Sequence, residues 1–357
     1  MHIVHVLNQY SITASAIDQI QYILRDDIHS VSLVVGPSLT DEVPKDVIKF
    51  FNIKVLKNDI FSIKGFFEFA KIIKNLNPDV IHSHHAKSGF ISSIISKFFN
   101  IKSLIEDGAK RDNYKLLTRL LFTLAEVLSN KVVFVSKSVE GSLSAIERHL
   151  ISKNKSHVIH YGIDVPNVSD KDRQKFREKF SLSKGDVIMS HTGRFIPVKK
   201  QDEIIRLFAQ IEKIDKMKLV LAGDGPLRVE LEHLVCKLQI QDKVIFCGML
   251  ERNDVYALLS ISKYFIMLSK TEGHSVSLLE SMRYGCIPLL SEIDSFREMV
   301  NDDLSVFLSD NSGNANISKI LSRMKAVSSK EIIEYSYNNY RSKKMMHKYY
   351  ELYESTS

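Results

Sequence analysis

Phe265-Ile266-Met267-Leu268-Ser269-Lys270-Thr271-Glu272-Gly273-His274-Ser275-Val276-Ser277-Leu278-Leu279-Glu280-Ser281-Met282-Arg283-Tyr284-Gly285-Cys286-Ile287-Pro288-Leu289-Leu290 reads as an apolar run, a turn, an amphipathic stretch, a glycine stop and a second apolar run. Short apolar runs flanking a helical pattern are a strand–helix–strand unit, which needs a parallel sheet. The turn at Glu272-Gly273 opens the helix, so its first amide N–H groups point past the carboxyl end of the strand, where their partial positive charge favours a phosphate. Gly273 lets the backbone approach such a ligand closely. Glu272 faces the ligand from the loop, and Glu280 lies a little over one turn into the helix on the same side. A carboxylate touching a diphosphate would be repelled, so the partners that suit both glutamates are hydroxyl groups of a sugar and a ribose.

Working outward, the same alternation fills the chain. Strands are expected over residues 3–7, 31–35, 53–56, 80–82, 103–105, 132–135 and 158–159, then over 187–190, 218–222, 244–246, 265–268, 287–290 and 306–308. That pattern predicts α/β architecture built twice. At 357 residues the chain suits two domains. Turn-forming residues from Tyr161 to Pro166 set the boundary, giving residues 1–163 and 164–330. Residues 331–357 carry one long helical pattern, Glu331 to Tyr353, read either as a packing helix or as one that crosses back to the N-terminal domain. After the strand at 187–190, Gly193, Arg194 and Lys199 share one loop; a guanidinium fork and a point charge suit two phosphates. Gly223 in Leu221-Ala222-Gly223-Asp224-Gly225-Pro226 is a tight turn at a strand end, and Met249-Leu250 close the strand after it.

Residues 269–288 resemble the E-x7-E signature of family 4 glycosyltransferases, with Glu272 and Glu280 in the glutamate positions; the resemblance implies donor-sugar contact for the first and ribose contact for the second. His191 to Lys200 is similar to the G-R-x4-K element of that family, which neutralises the leaving diphosphate through Arg194 and Lys199, although Lys200 stands where a glycine is usual and reads as harmless. Gly223 matches the G-x-G-P turn, and Met249 and Leu250 the strand end that holds the nucleobase by main-chain contacts. With Gly193, Gly273, His274, Ser275 and Val276 these complete the implied donor site. His82, His84 and Lys87, in a P-D-(hydrophobic)2-H-x-H element, are implied on the acceptor side. The implied fold is GT-B, two Rossmann-like parallel-sheet domains facing a cleft, an N-terminal one for the acceptor and a C-terminal one for the nucleotide-sugar. The implied activity is retaining, metal-independent sugar transfer from a nucleoside diphosphate to an acceptor hydroxyl in lipopolysaccharide, capsule or exopolysaccharide synthesis. Two departures stand out. Asn8 to Ser15 holds no glycine where relatives have a glycine-rich turn. Asp107 stands where relatives commonly have a histidine near the reacting carbon, which implies altered sugar placement or reduced activity, while the cluster Glu106, Asp107, Lys110 and Arg111 reads equally as a solvated loop. A sugar-nucleotide 2-epimerase and a catalytically degenerate sugar-nucleotide-binding protein remain open beside the transferase.

Other classes are excluded by what the chain lacks. No G-x-G-x-x-G follows a strand, against a nicotinamide enzyme. His82, His84 and His85 invite zinc, but no carboxylate or cysteine nearby in sequence completes a tetrahedral set, so no metal or other cofactor is expected. Asp170-Lys171-Asp172 opens a charged helix and reads as N-capping. Three scattered cysteines read as reduced core residues of a cytoplasmic protein. The net charge of +7 comes without a nucleic-acid motif, leaving a glycan or lipid-linked acceptor and peripheral contact with an anionic membrane, on the inner face of the cytoplasmic membrane, as its readings. Ile91, Ile94, Ile95 and Phe98 recur at helical spacing; they suit an interfacial helix, or, the favoured reading, burial against the sheet.

Overall fold

The computed structural model describes residues 1–8, 30–36, 52–212, 217–308 and 317–355. They form two compact units, Met1–Gly162 with Ser342–Ser357, and Ile163–Arg341. The first unit holds β1 (His2–Leu7), β2 (Ser30–Val35), β3 (Asn52–Val55), β4 (Val80–Ser83), β5 (Lys102–Asp107), β6 (Lys131–Phe134) and β7 (Ser156–Val158). They pair in parallel in the order β3-β2-β1-β4-β5-β6-β7. Its helices include α1 (Ile63–Leu76), α2 (Ala86–Phe99), α3 (Leu116–Leu128), α4 (Lys137–Gly141) and α5 (Ala145–Leu150). The second unit carries α6 (Asp170–Lys179), β8 (Ile188–Thr192), α7 (Gln201–Glu212), β9 (Lys218–Ala222), α8 (Arg228–Lys237), β10 (Val244–Gly248), α9 (Arg252–Ile261), β11 (Tyr264–Met267), α10 (Val276–Arg283), β12 (Ile287–Ser291), α11 (Asp294–Met299), β13 (Val306–Leu308), α12 (Ile317–Ala326) and α13 (Ser329–Asn339). Its sheet is also parallel, ordered β10-β9-β8-β11-β12-β13.

Every expected strand is present, with ends shifted by a residue or two. The strands of a parallel sheet are covered on both faces, so Val4, Val6, Ile81, Ile105, Val132 and Val133 in one unit, and Ile188, Leu219, Val220, Phe265 and Ile266 in the other, are fully buried. In each sheet the strand order reverses once, between β1 and β4 and between β8 and β11. Loops leaving two such strands diverge to opposite faces and open a crevice at the strands' carboxyl ends, the place where open α/β sheets bind ligands.

Three expectations need correction, and a fourth falls outside the described residues. The pattern from Glu331 to Tyr353 is not one helix: it breaks at Tyr340-Arg341 into α13 and α14 (Ser342–Ser355). Tyr340 leaves helical geometry at φ −127°, ψ 41°, because its hydroxyl donates to the Met299 carbonyl at 2.9 Å and its own carbonyl accepts from Ile163 at 2.9 Å. The chain thus changes unit there, and α14 packs with the first unit through Met345, Met346, Tyr349 and Tyr353. Ser169, not Asp170, caps α6, accepting from the Asp172 amide at 3.1 Å, and the two aspartates fill the first turn. Of the cysteines only Cys286 is buried; Cys247 is partly covered and Cys236 exposed. The glycine-free stretch that departs from the family pattern lies, from residue 9 on, outside the described residues.

Candidate functional site

At the reversal in the second sheet, the loop after β8 and the loop after β11 lie side by side, tied by the Lys270 amide donating to the Val198 carbonyl at 2.9 Å. Arg194 is exposed, and the loop beneath it is set by Gln201, whose amide donates to the Arg194 carbonyl at 2.8 Å. Lys199 ends a single 3-10 turn, and its ammonium meets the Glu272 carboxylate at 2.6 Å. The sequence reading gave these two side chains separate tasks; here each compensates the other's charge. Lys200 takes φ +51°, the left-handed region, which is why a glycine is usual there; the lysine costs about 1 kcal/mol and is not free of consequence. Beneath the loop, His191 is fully buried between the Ile266 carbonyl at 2.9 Å and Gln201 at 3.2 Å. Burial holds it neutral, its pKa lowered to about 4.

Three strand-end loops are braided by main chain. Gly193 donates to Ala222 at 2.9 Å, Gly223 to Gly248 at 2.8 Å, and Phe195 to Asp224 at 2.9 Å. Gly223 sits at φ +138°, and a Cβ there would lie 1.9 Å from the Gly193 carbonyl oxygen. Its glycine is therefore required by backbone packing, whatever else it does. Ser275 caps α10, its hydroxyl accepting from the Leu278 amide at 3.3 Å. His274 is buried with its ring 5.7 Å from that of Tyr340. Glu280 is buried, with the Arg252 guanidinium at 3.6 Å. Met249, beyond β10, is widely exposed.

In the first unit the reversal between β1 and β4 gathers His5, His82 and His84. His5 and His82 are register partners in the sheet. The sequence reading found no carboxylate to join these imidazoles, whereas the fold brings in Glu106 from β5, 3.4 Å from His84 and 4.0 Å from His82. Ligand atoms of the three histidines lie within 4.8 Å of one another. The His5 and His84 nitrogens, however, are 2.9 Å apart, hydrogen-bond spacing and closer than the roughly 3.3 Å that two ligands of one tetrahedral zinc adopt. His82 was expected on the acceptor side; it is fully buried and bonds the Tyr353 hydroxyl of α14 at 2.7 Å. Glu106 accepts from Tyr161 at 3.0 Å and from Tyr349 of α14. Burial drives His5 and His82 well below the usual imidazole range. Lys87 is exposed, its ammonium 5.6 Å from the Phe61 ring centre.

Asp107 was expected near the reacting carbon, or in a solvated loop. It is not in a solvated loop: the carboxylate is buried, held by Arg111 at 2.5 Å, Tyr114 at 2.6 Å and the Ala109 amide at 3.3 Å. The Arg111 guanidinium, also buried, reaches both Glu126 oxygens at 2.6 Å. Arg119 forks onto Glu147 at 2.6 and 2.8 Å, and that bonding lowers the Glu147 pKa to about 2. Two guanidinium groups thus serve three acids, and burial beside Asp107 pushes Glu126 up to about 8.

Residues 172–340 match the family model for glycosyl transferases group 1, a stretch that takes in nearly all of the second unit. The second unit is similar to the group 1 glycosyl transferases. Over 65% of this chain, and 61% of its own length, the N-acetyl-alpha-D-glucosaminyl L-malate synthase of Bacillus anthracis is 26% identical. An Escherichia coli UDP-Gal:alpha-D-GlcNAc-diphosphoundecaprenol alpha-1,3-galactosyltransferase is 23% identical over 79% of this chain and 76% of its own. Against the first curated relatives, then, the chain spans only about three fifths of their length. The crystal structure of Anabaena HepE in complex with UDP and glucose superposes with a TM-score of 0.81, 17% identity and 99% of each chain covered. The fold is GT-B, two Rossmann-like parallel-sheet domains.

The second unit has two features that the sequence reading missed. Arg252, beside Glu280, lies two residues past Met249-Leu250, where that reading stopped; a cation opening the helix after β10 was the available signal. His191 and Gln201 lie beneath the Arg194 loop, and the polar pair flanking G-R-x4-K was visible as a strand-end histidine and a helix-start glutamine.

Proposed function

We propose that this protein is a retaining, metal-independent glycosyltransferase that moves a sugar from a nucleoside diphosphate to an acceptor hydroxyl, with a lipid-linked glycan of bacterial surface polysaccharide synthesis as acceptor. The observation that carries the reading is the convergence, at the reversal of the second sheet, of Arg194, the Lys199–Glu272 pair and the leading end of α10. Arg194 and Lys199 hold the diphosphate, the first-turn amides of α10 assist them, Glu272 accepts from sugar hydroxyls and Glu280 from the ribose, with Arg252 orienting Glu280. The main chain at Met249-Leu250 borders the base. His84 and Lys87 attend the acceptor.

In the reaction the bond from the sugar's anomeric carbon to the phosphate oxygen breaks, the acceptor oxygen bonds that carbon on the same face, and its proton passes to the departing phosphate oxygen. No protein nucleophile is needed. Charge accumulating on the leaving diphosphate is met by Arg194 and Lys199, the role a divalent ion would otherwise fill. A lipid-linked acceptor agrees with the diphosphoundecaprenol-linked substrate that the Escherichia coli relative is named for.

The test is calorimetric titration with UDP, GDP, ADP and CDP and their sugars, followed by product analysis. Arg194→Ala should weaken nucleoside diphosphate binding by about 1.5–3 kcal/mol, the worth of a charge-assisted hydrogen bond. Unchanged affinity removes Arg194 from the site. Transfer that survives chelation by EDTA supports metal independence, and its loss refutes it. An epimerised donor formed without acceptor identifies a 2-epimerase, and donor binding without nucleoside diphosphate release identifies a degenerate binder.

A further inference from the structure

Six large apolar side chains on two neighbouring helices of the first unit face solvent. On α3, Leu116, Leu117, Leu120 and Leu124 are 84%, 66%, 52% and 39% exposed, and on α5 Ile146 and Leu150 are 74% and 52% exposed. At 100° per residue the four leucines fall within a stripe about 100° wide. The opposite side of α3 is already committed: Leu121, Phe122, Ala125 and Glu126 are buried. Helix α3 therefore has two apolar faces, one used by the fold and one not. The Arg119 fork onto Glu147 sets α5 beside α3, so its exposed pair joins the stripe.

Charge says what covers it. Residues 110–155 contain nine Lys or Arg against four Asp or Glu. Over residues 1–109 the two signs balance at eleven each, so the whole basic excess of the first 160 residues lies in this one segment. Two of its four acids, Glu126 and Glu147, are buried and consumed by Arg111 and Arg119. Lys115, Lys137, Arg148 and Lys153 are exposed around the apolar stripe. Leucines ringed by cations suit a surface that is apolar inside and anionic outside, and a water-facing protein partner would need neither feature so concentrated. Of the two readings the sequence left for α2, the favoured one agrees with the structure: Ile91 and Ile95 are buried, leaving only Phe98 of that stripe widely exposed.

We propose that the α3–α5 face is a docking surface for an anionic phospholipid bilayer, with the leucines entering the headgroup boundary and the surrounding lysines and arginines meeting lipid phosphates. The proposal deepens the lipid-linked acceptor reading, yet it is tested without donor or acceptor, so either can fail alone. The full chain is sedimented with vesicles of phosphatidylcholine and with vesicles of equal parts phosphatidylcholine and phosphatidylglycerol. Binding to the mixed vesicles, weakened on going from about 0.1 M to about 0.5 M salt, is expected. Leu117→Ser with Leu120→Ser should weaken partitioning about tenfold or more at an unchanged thermal midpoint. Lys115→Glu with Lys153→Glu should reduce binding to the anionic vesicles alone, and this pair keeps the test alive should the leucine variant misfold. Equal sedimentation of both variants and the parent overturns the proposal. So does a leucine variant that changes the self-association mass in the ultracentrifuge while vesicle binding stays intact, because the face would then be an interface between copies.

Discussion

Lys199 and Glu272 pair at 2.6 Å, and that contact has to be given up in part for the chemistry proposed. Both ends are partly solvent-exposed, so the pair itself contributes little to stability. In the proposed mechanism its effect is on binding: an arriving diphosphate would compete with Glu272 for the Lys199 ammonium and free the carboxylate for sugar hydroxyls. Glu272→Gln removes the competitor. A nucleoside diphosphate lacking its sugar should then bind as tightly as before or up to about fivefold tighter, while turnover of the intact donor falls about 100-fold through loss of a charged acceptor. Calorimetry with the diphosphate and a product assay separate the two effects, and weaker diphosphate binding in the variant contradicts the competition. Residues such as Arg194, Lys199, Glu272 and Glu280 were legible because each follows a strand at a fixed short offset, so their neighbourhood was set locally. Asp107 and His82 were not, since what decides them is Arg111 bridging to Glu126 and a tyrosine 271 positions away in sequence.

Helix α14 is held to the first unit by buried polar bonds as well as by its apolar side. Tyr349 donates to Glu106 and Tyr353 meets His82, both in an interior where an unpartnered carboxylate is costly. Tyr349→Phe leaves the buried Glu106 with one phenol donor fewer, so it should cost about 1–3 kcal/mol of the first unit's stability. Tyr350→Phe, on the same helix and only partly buried, should cost less than about 0.5 kcal/mol. Urea titration followed by far-ultraviolet circular dichroism distinguishes them, and equal losses would mean that Glu106 does not depend on its Tyr349 bond. At this scale the strands were fully legible, because a strand covered on both faces reads as an uninterrupted β-branched run wherever it occurs. The break at Tyr340-Arg341 was not. Helical periodicity runs straight through it, and the cause is the anchoring of one hydroxyl on α11 and one carbonyl at Ile163, neither visible from local pattern.

The two units should respond differently to acid. Buried, neutral histidines take up protons only on unfolding, so the unfolded chain binds more protons between their folded and unfolded pKa values, and stability falls as pH drops through that window. The second unit has His191, lowered to about 4 by burial; the first has His85, also lowered to about 4, and His5 and His82, both driven well below the ordinary value. Each shift from about 6.5 to about 4 is worth roughly 3 kcal/mol once the pH reaches 4. Glu126 works the other way, since a carboxyl raised to about 8 loses stability as pH rises from about 4.5. Asp107 is raised by burial as well, but these two carboxyls offset only part of four histidines in the same unit, His157 being lowered too, so the first unit should melt before the second on going from pH 6.5 to 4.5. The chain has no tryptophan, so hydrogen–deuterium exchange with mass spectrometry is the suitable probe. At pH 4.5 exchange should rise in β1, β4, β5 and α14 while β8, β9 and β11 stay protected; protection lost together in both sheets, or first in the second, would mean that His5 and His82 are not held neutral by burial.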